Sequence, residues 1–232
     1  MRTAHIWNQH NLFGQKIAII VFLLFAFVSH ATAQRYVNLP NYEDKDIRWG
    51  FQIGLQQTTM RLKYDNSFLN SEFQSITSSW QPAFSAHFIL QVALEDELWS
   101  LRLTPGVALY NRIIEKTGFD ETVVKVEQGP STIEFPILLK YRSLRRRNFR
   151  MYMVGGVVPS IITGAGENSF VANRNFEITY GLGFDFYWQF FKFAPEIRFS
   201  HGLINFYNAN NTLATEINRI TTHRVGLYLN FE

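Results

Sequence analysis

The sequence predicts an all-β fold: an eight-stranded antiparallel up-and-down transmembrane β-barrel of the outer-membrane type. Three observations predict it. Apolar and polar residues alternate with period two through eight successive segments, which marks strands with one apolar and one polar face. The connections alternate between long polar loops and short turns, the layout of a bacterial outer-membrane barrel. Large aromatic residues gather at one end of the apolar face.

The N-terminal residues stand apart from this pattern. Arg2 and Lys16 make a basic region, Ile17 to Val28 is an apolar run of secretory length, and Ala31-Thr32-Ala33 is a small-x-small cleavage site. Residues 1–33 are therefore expected to be a signal peptide, with Gln34 as the first mature residue. The run is short for a spanning helix, which disfavours an uncleaved anchor.

The 199 residues that remain of 232 suffice for one domain. Their 20 basic against 19 acidic residues give no excess of positive charge, and Arg145-Arg146-Arg147 is the longest basic run, so nucleic acid is not an expected partner. There is no cysteine. An exported protein without disulfides needs another source of rigidity, and a large hydrogen-bonded sheet can supply it. Charged residues are 18%, below the usual quarter, while aromatics reach 16% with 22 Phe. No mature segment approaches 18 consecutive apolar residues, so no transmembrane helix is expected.

Residues 34–47 contain turn formers and charges without periodicity and read as an extended periplasmic lead-in to a barrel over 48–232. The first strand sets Trp49, Phe51, Ile53 and Leu55 against Gly50, Gln52, Gly54 and Gln56. A polar loop from about Asp65 to Gln81 follows. The second strand opposes Phe84, Ala86, Phe88, Leu90 and Val92 to Ser85, His87 and Gln91, and Glu95-Asp96-Glu97 makes a short turn. The third opposes Trp99, Leu101, Leu103, Pro105, Val107 and Leu109 to Arg102, Thr104, Gly106, Ala108, Tyr110 and Arg112. A long polar connection, roughly Glu115 to Gly129, leads to the fourth.

The fourth strand, Ser131 to Arg142, alternates without a break: Ile133, Phe135, Ile137, Leu139 and Tyr141 oppose Glu134, Lys140 and Arg142. The fifth, Met151 to Ile161, is the least regular, with Met151 and Met153 expected to interrupt its polar face. After a loop over Gly164 to Asn173, the sixth opposes Phe176, Ile178, Tyr180, Leu182, Phe184, Phe186 and Trp188 to Glu177, Gly181, Gly183 and Asp185. A tight turn near Phe190-Phe191 joins it to the seventh, in which Phe193, Pro195, Ile197 and Phe199 face away from Glu196 and Arg198. A long loop over Asn205 to Thr221 precedes the eighth, in which His223, Val225, Leu227, Leu229 and Phe231 oppose Arg224, Tyr228, Asn230 and Glu232.

Alternation alone does not distinguish a membrane barrel from a lipocalin-like one with an apolar interior. The aromatics decide. Trp49, Trp99 and Phe193 begin upward strands, and Tyr141, Trp188 and Phe231 end downward ones, so all six sit at the short-turn, periplasmic end of the apolar face. Amphipathic rings at one level of an outward face describe an interfacial girdle. The polar face then fills the lumen with Arg102, Arg112, Glu134, Lys140, Arg142, Glu177, Asp185, Glu196, Arg198 and Arg224. An eight-stranded lumen is just wide enough for side chains to fill it, so these charges read as structural ion pairs in preference to an ion or proton path. Pro105, Pro136, Pro159 and Pro195 fall within strands of a closed sheet; bulges, or a missing ladder bond beside Pro136, are expected.

The sequence offers little catalytic chemistry. His87 lies two residues from Ser85 on the polar face, but no third group can be placed to orient the imidazole, so a lumen histidine bonded to a carboxylate is expected. His201 and His223 flank the last loop without metal-ligand spacing. The fragment TGAGE (Thr163–Glu167) lacks the strand-to-helix context of a phosphate loop. No catalytic residue, cofactor or metal is expected.

The segments NLPNYEDKD (Asn38–Asp46), LRLTPGVALYNR (Leu101–Arg112), TIEFPILLKYRSLRRRNFRMYMVGG (Thr132–Gly156), YGLGFDFYWQFFKFAPEIRFSHGL (Tyr180–Leu203) and the terminal NFE resemble the PorT family of Bacteroidota, outer-membrane barrels associated with the type IX secretion system. The resemblance covers nearly all the mature chain except the loops Tyr64–Gln81 and Asn205–Thr221. It implies a role in exporting proteins across the outer membrane, in some relatives in gliding, and implies no catalytic residues. Because so narrow a barrel cannot pass a folded protein, it implies an accessory or assembly factor and not the translocation pore. Expected partners are outer-membrane lipid, the barrel-insertion machinery and other type IX components. The rivals are a structural or adhesive barrel acting through its extracellular loops, and a membrane hydrolase or acyltransferase, which would need a convergent polar cluster at one rim.

Overall fold

The computed structural model describes residues 36–94, 98–120, 122–128, 131–163, 169–208 and 216–232. The predicted signal peptide, the Glu95-Asp96-Glu97 turn and most of the TGAGE fragment lie outside them. The chain divides into two units, Met1–Val37 and Asn38–Glu232. Of the first, Tyr36 and Val37 are described and are exposed. The second is the barrel.

Among the described residues, alternating residues build thirteen strands. In chain order they are β1 (Ile47–Tyr64), β2 (Phe73–Thr77), β3 (Gln81–Ala93), β4 (Trp99–Leu103), β5 (Gly106–Tyr110), β6 (Arg112–Gly118) and β7 (Val123–Gln128). They continue with β8 (Ser131–Glu134), β9 (Ile137–Arg142), β10 (Phe149–Ile162), β11 (Arg174–Tyr187), β12 (Lys192–Gly202) and β13 (Ile217–Phe231). β4 with β5, and β8 with β9, are halves of single staves. The staves pair antiparallel with their neighbours, and β1 pairs with both β3 and β13, so eight staves close into a ring. Among the described residues no helix is long and apolar enough to cross a membrane.

The register fixes the shape of the ring. Partners traced once around it run from Gln57 through Val225, Phe199, Tyr180, Gly155, Leu139, Leu101 and Val92 to Ile47. The line returns to β1 ten residues from its start. With about 3.3 Å per residue and about 4.8 Å between strands, that offset tilts the staves by about 40° and gives a radius of about 8 Å.

The two faces separate by polarity. Phe51, Leu55, Phe88, Leu101, Val107, Leu139, Leu182 and Ile197 point outward and are exposed, while the alternate positions carry Gln52, Gln91, Thr104, Lys140, Thr179 and Asn230, all buried. An inverted barrel is thereby excluded. Met151 and Met153 do not interrupt a polar face: both point outward, and Arg150, Tyr152, Val154 and Ser160 form the buried side of β10.

The strand prolines are accommodated without bulges. Leu103 faces Ile137 and Gly106 faces Glu134, so the register across the Pro105 and Pro136 breaks is unchanged. In an antiparallel ladder, a narrow pair exchanges two bonds. Each proline keeps the one its carbonyl accepts, from Phe88 to Pro105 (2.9 Å), Thr104 to Pro136 (3.0 Å) and Phe135 to Pro159 (3.0 Å), and lacks the one its nitrogen would donate. Pro195 pairs with Leu229 of β13 but leaves a gap in the ladder to β11 between Gly183 and Phe186.

Two of the expected loops are folded. β2, β6 and β7 form a second sheet in the order β2-β6-β7, inside the regions read from sequence as irregular polar connections. Ile76 and Ile114 from this sheet pack with Met60, Ile162, Phe170, Val171, Phe206, Ile217 and Ile220 into an apolar cluster over the long-loop end. The lead-in is not extended either. Pro40–Tyr42 is a 3-10 turn entered through Leu39, a non-glycine residue with φ of 49°.

Candidate functional site: the lumen and its two ends

Inward parity on tilted staves brings charges from distant parts of the chain to one axis. All ten residues predicted for the lumen are buried. They fall into connected groups. In the middle, Lys140 donates to Asp185 (2.9 Å), Lys192 to Glu232 (2.8 Å), and Arg102 to both Glu232 (3.0 Å) and Glu196 (3.1 Å). Arg198 completes the chain on Glu196 (2.5 Å). The Lys140 Nζ sits 3.6 Å from the centre of the Tyr152 ring. That ring needs Gly183 opposite it, because a Cβ there would lie 2.3 Å from Tyr152 Cζ. Burying a charge is costly unless it is paired and hydrogen-bonded, and here each acid is shared by two cations.

Towards the long-loop end, Arg224 binds Glu134 (2.7 Å) and Glu177, and Tyr110 donates to Glu134 (2.6 Å). Arg112 donates to Thr132 Oγ1 (2.9 Å), and Asn175 donates to Glu177 (2.7 Å). His87 Nε2 lies 3.3 Å from Glu134 Oε2, whereas Ser85 accepts from Gln56 (2.8 Å). Serine and histidine thus have separate partners and do not form a nucleophile–base pair. A cavity beside Arg112, Glu134, Glu177 and Arg224 measures about 10 Å³. That is the limit for a single water.

At the short-turn end the sequence reading missed the central residue. Glu43 accepts from Arg142 (2.6 Å), Arg150 (2.9 Å) and Tyr187, with Arg48 3.7 Å away. Burial raises its pKa, but the Tyr187 hydroxyl and the three guanidinium groups outweigh that and hold the carboxyl down at about 2. Tyr42 donates to Glu232 (3.1 Å), Asn38 Nδ2 donates to the Tyr187 carbonyl (2.9 Å), and Arg145 donates to the Leu39 carbonyl (3.1 Å). Arg48, Arg150, Lys192 and Glu232 were also absent from the predicted set. Their signal was present, since each has the inward parity of its strand.

The six aromatics predicted as a girdle all stand on the outward side, five of them in two patches. Trp99 and Tyr141 are 4.7 Å apart, and Phe231 contacts Phe51 (4.8 Å), Phe193 (5.2 Å) and Phe191 (6.3 Å), with Trp188 stacked on Phe191 (6.2 Å). Trp49 is 72% exposed. His201 and His223, which flank the last loop, are cross-strand partners whose Nδ1 atoms lie 2.8 Å apart. Among the described residues no three His, Asp or Glu side chains are grouped to hold a metal ion.

Residues 32–208 match the family described as outer membrane protein beta-barrel domain. No curated protein matches the chain. Among solved structures, it resembles the outer membrane protein OprG of Pseudomonas aeruginosa at 13% identity and a TM-score of 0.46, over 80% of this chain and 91% of that one. It also resembles Neisserial surface protein A at 10% identity and 0.43, over 80% and 98%. The outer membrane enzyme PagL is similar at 12% identity and 0.38, over 77% and 97%.

Proposed function

Because the chain belongs to the outer membrane protein beta-barrel domain family, and so lies in the outer membrane, we propose that it is a sealed barrel acting as an accessory or assembly factor for type IX protein export, and not itself a conduit. The observation that carries the non-conduit part is the lumen: Arg102, Lys140, Asp185, Glu196 and Glu232 have no exposed side-chain surface, and the cavity above them holds at most about one water. The resemblance to the PorT family supports the secretion role and its expected partners, the other type IX components and the insertion machinery. In this reading the termini are periplasmic, the long connections reach the cell surface, and the aromatics near the short turns form the inner interfacial girdle. The barrel performs no catalysis; its part is to hold a surface in the membrane.

Two measurements test this. Deleting the gene should abolish export of type IX cargo, and a strain that secretes normally would overturn the secretion role. The purified barrel in a planar bilayer should give no stable conductance; a wide open channel would overturn the sealed reading.

A second reading, an adhesive barrel, has one observation in its favour. The β6–β7 hairpin exposes Phe119, Val123 and Val124. Normal secretion with altered adhesion in the deletion strain would favour it.

A further inference from the structure

The outward face changes character along four adjacent staves. On β1 it runs Trp49, Phe51, Ile53, Leu55, then Gln57 and Thr59, then Arg61 and Lys63. On β13 it runs Phe231, Leu229, Leu227, Val225, then His223 and Thr221, then Arg219. Lys63 faces Arg219 across the ladder, and Arg61 faces Thr221. Arg174 begins β11 and is exposed, as are Arg61, Lys63 and Arg219. Between them on β12, His201 bonds His223 (2.8 Å) and the Tyr180 hydroxyl (3.1 Å). At the corresponding ends of β3, β5, β8 and β10 the outward residues are Pro82 and Phe84, Leu109, Ser131 and Ile133, and Ile161, none of them charged. Among the described residues, the cations at outward positions of the wall are thus confined to one side of the rim; Lys125 of the second sheet is paired with Glu115 (3.0 Å).

No Asp or Glu occupies an outward position on β1, β11, β12 or β13. Of the described acids nearest in sequence, Glu216 is engaged by Lys116 (2.9 Å) and Glu177 by Arg224, while Asp65 is hydrogen-bonded to Ser67 and Asn218. Clustered like charges repel one another, and basic residues directly above an apolar band lie where lipid headgroups lie. Arginine forks match phosphate oxygens, and histidine and tyrosine add hydrogen bonds to sugar or phosphate.

We propose that Arg61, Lys63, Arg174, Arg219 and the His201–His223 pair form a binding site for a phosphorylated glycolipid of the outer leaflet. The apolar residues Leu55, Val225, Phe199 and Tyr180 beneath them receive its acyl chains. The choice of leaflet rests on the orientation proposed above, with the long connections at the cell surface. The secretion role does not enter, so a secretion phenotype and a lipid-binding result are read independently.

The test uses the purified mature barrel in detergent micelles, titrated with lipid A, with dephosphorylated lipid A and with inorganic phosphate, and read by native mass spectrometry. Lipid A should bind, and the R61Q/K63Q/R219Q variant should bind it roughly tenfold or more weakly. Lys45→Gln, at the opposite end, should bind as the parent does. Unheated gel mobility reports whether each variant is a folded barrel; if the triple variant fails to fold, R61Q and R219Q are scored singly. Equal binding by the variants or of dephosphorylated lipid A would overturn the site. Inorganic phosphate bound as well as lipid A would overturn the lipid as the source. Preference for phosphatidylglycerol would overturn the leaflet.

Discussion

At the short-turn end, residues Asn38–Glu43 of the lead-in cap the staves with a carboxylate held among three arginines and a tyrosine. At the long-loop end, nine buried apolar side chains, among the described residues, cover the lumen, with the Lys116–Glu216 pair (2.9 Å) at their edge. The difference is one of directionality. Apolar contact is non-directional and scales with area, so a lid assembled from several connections tolerates changes in any one of them. A charge-assisted cluster demands particular atoms at particular distances, and its strength depends on protonation. One end is therefore closed by packing, the other by a titratable latch.

Breaking the lid should cost most. Phe170→Ala and Phe206→Ala each remove a fully buried ring, at about 3–5 kcal/mol apiece. Urea unfolding of the double variant should start earlier, with protease cutting the loops while the staves persist. Unchanged loop proteolysis would mean that the cluster is not a lid. Glu43→Gln comes next, at about 3 kcal/mol, because it takes away the carboxylate that Arg48, Arg142 and Arg150 share.

The pH dependence distinguishes the ends. The Glu43 pKa falls from 4.5 to about 2 on folding, so its contribution is complete above pH 4.5 and drains away as pH falls to 2. The stability difference between the parent and Glu43→Gln should shrink by up to about 3 kcal/mol over that window. A constant difference would show that Glu43 does not act through its charge. The smallest effect is Tyr42→Phe, which removes the bond to the Glu232 carboxylate for about 1.5 kcal/mol. Chemical denaturation at pH 7 measures it, and no change would mean that this hydroxyl adds nothing to the latch.

The staves were legible because period two survives wherever one face meets lipid and the other meets charge. Ile133 to Tyr141 and Phe176 to Trp188 show it without a gap. Beyond the lipid that contrast disappears. β2, β6 and β7 pair above the wall, where polar residues such as Lys116 and Lys125 are tolerated on both faces, and so the segment read as loop. The lid was hidden for a different reason. Phe170, Phe206 and Ile217 sit in stretches without strand periodicity and become a cluster only through contacts far apart in sequence. Glu43 is the same case with charge: its partner Arg142 lies 99 residues on, in a segment whose own pattern gives no hint of it. The prolines were the reverse, since their presence was plain and a carbonyl bond retained in an unshifted register was not.

The row of prolines also has a mechanical meaning. Each ladder bond resists the sliding of one stave past the next, and Pro105, Pro136 and Pro159 remove one apiece along a line from β3 through the β4/β5 and β8/β9 staves to β10. Each step across that line, between the latch and the lid, has one ladder bond fewer, so shear of the wall there would take up part of a pull on the long connections before it reached Glu43.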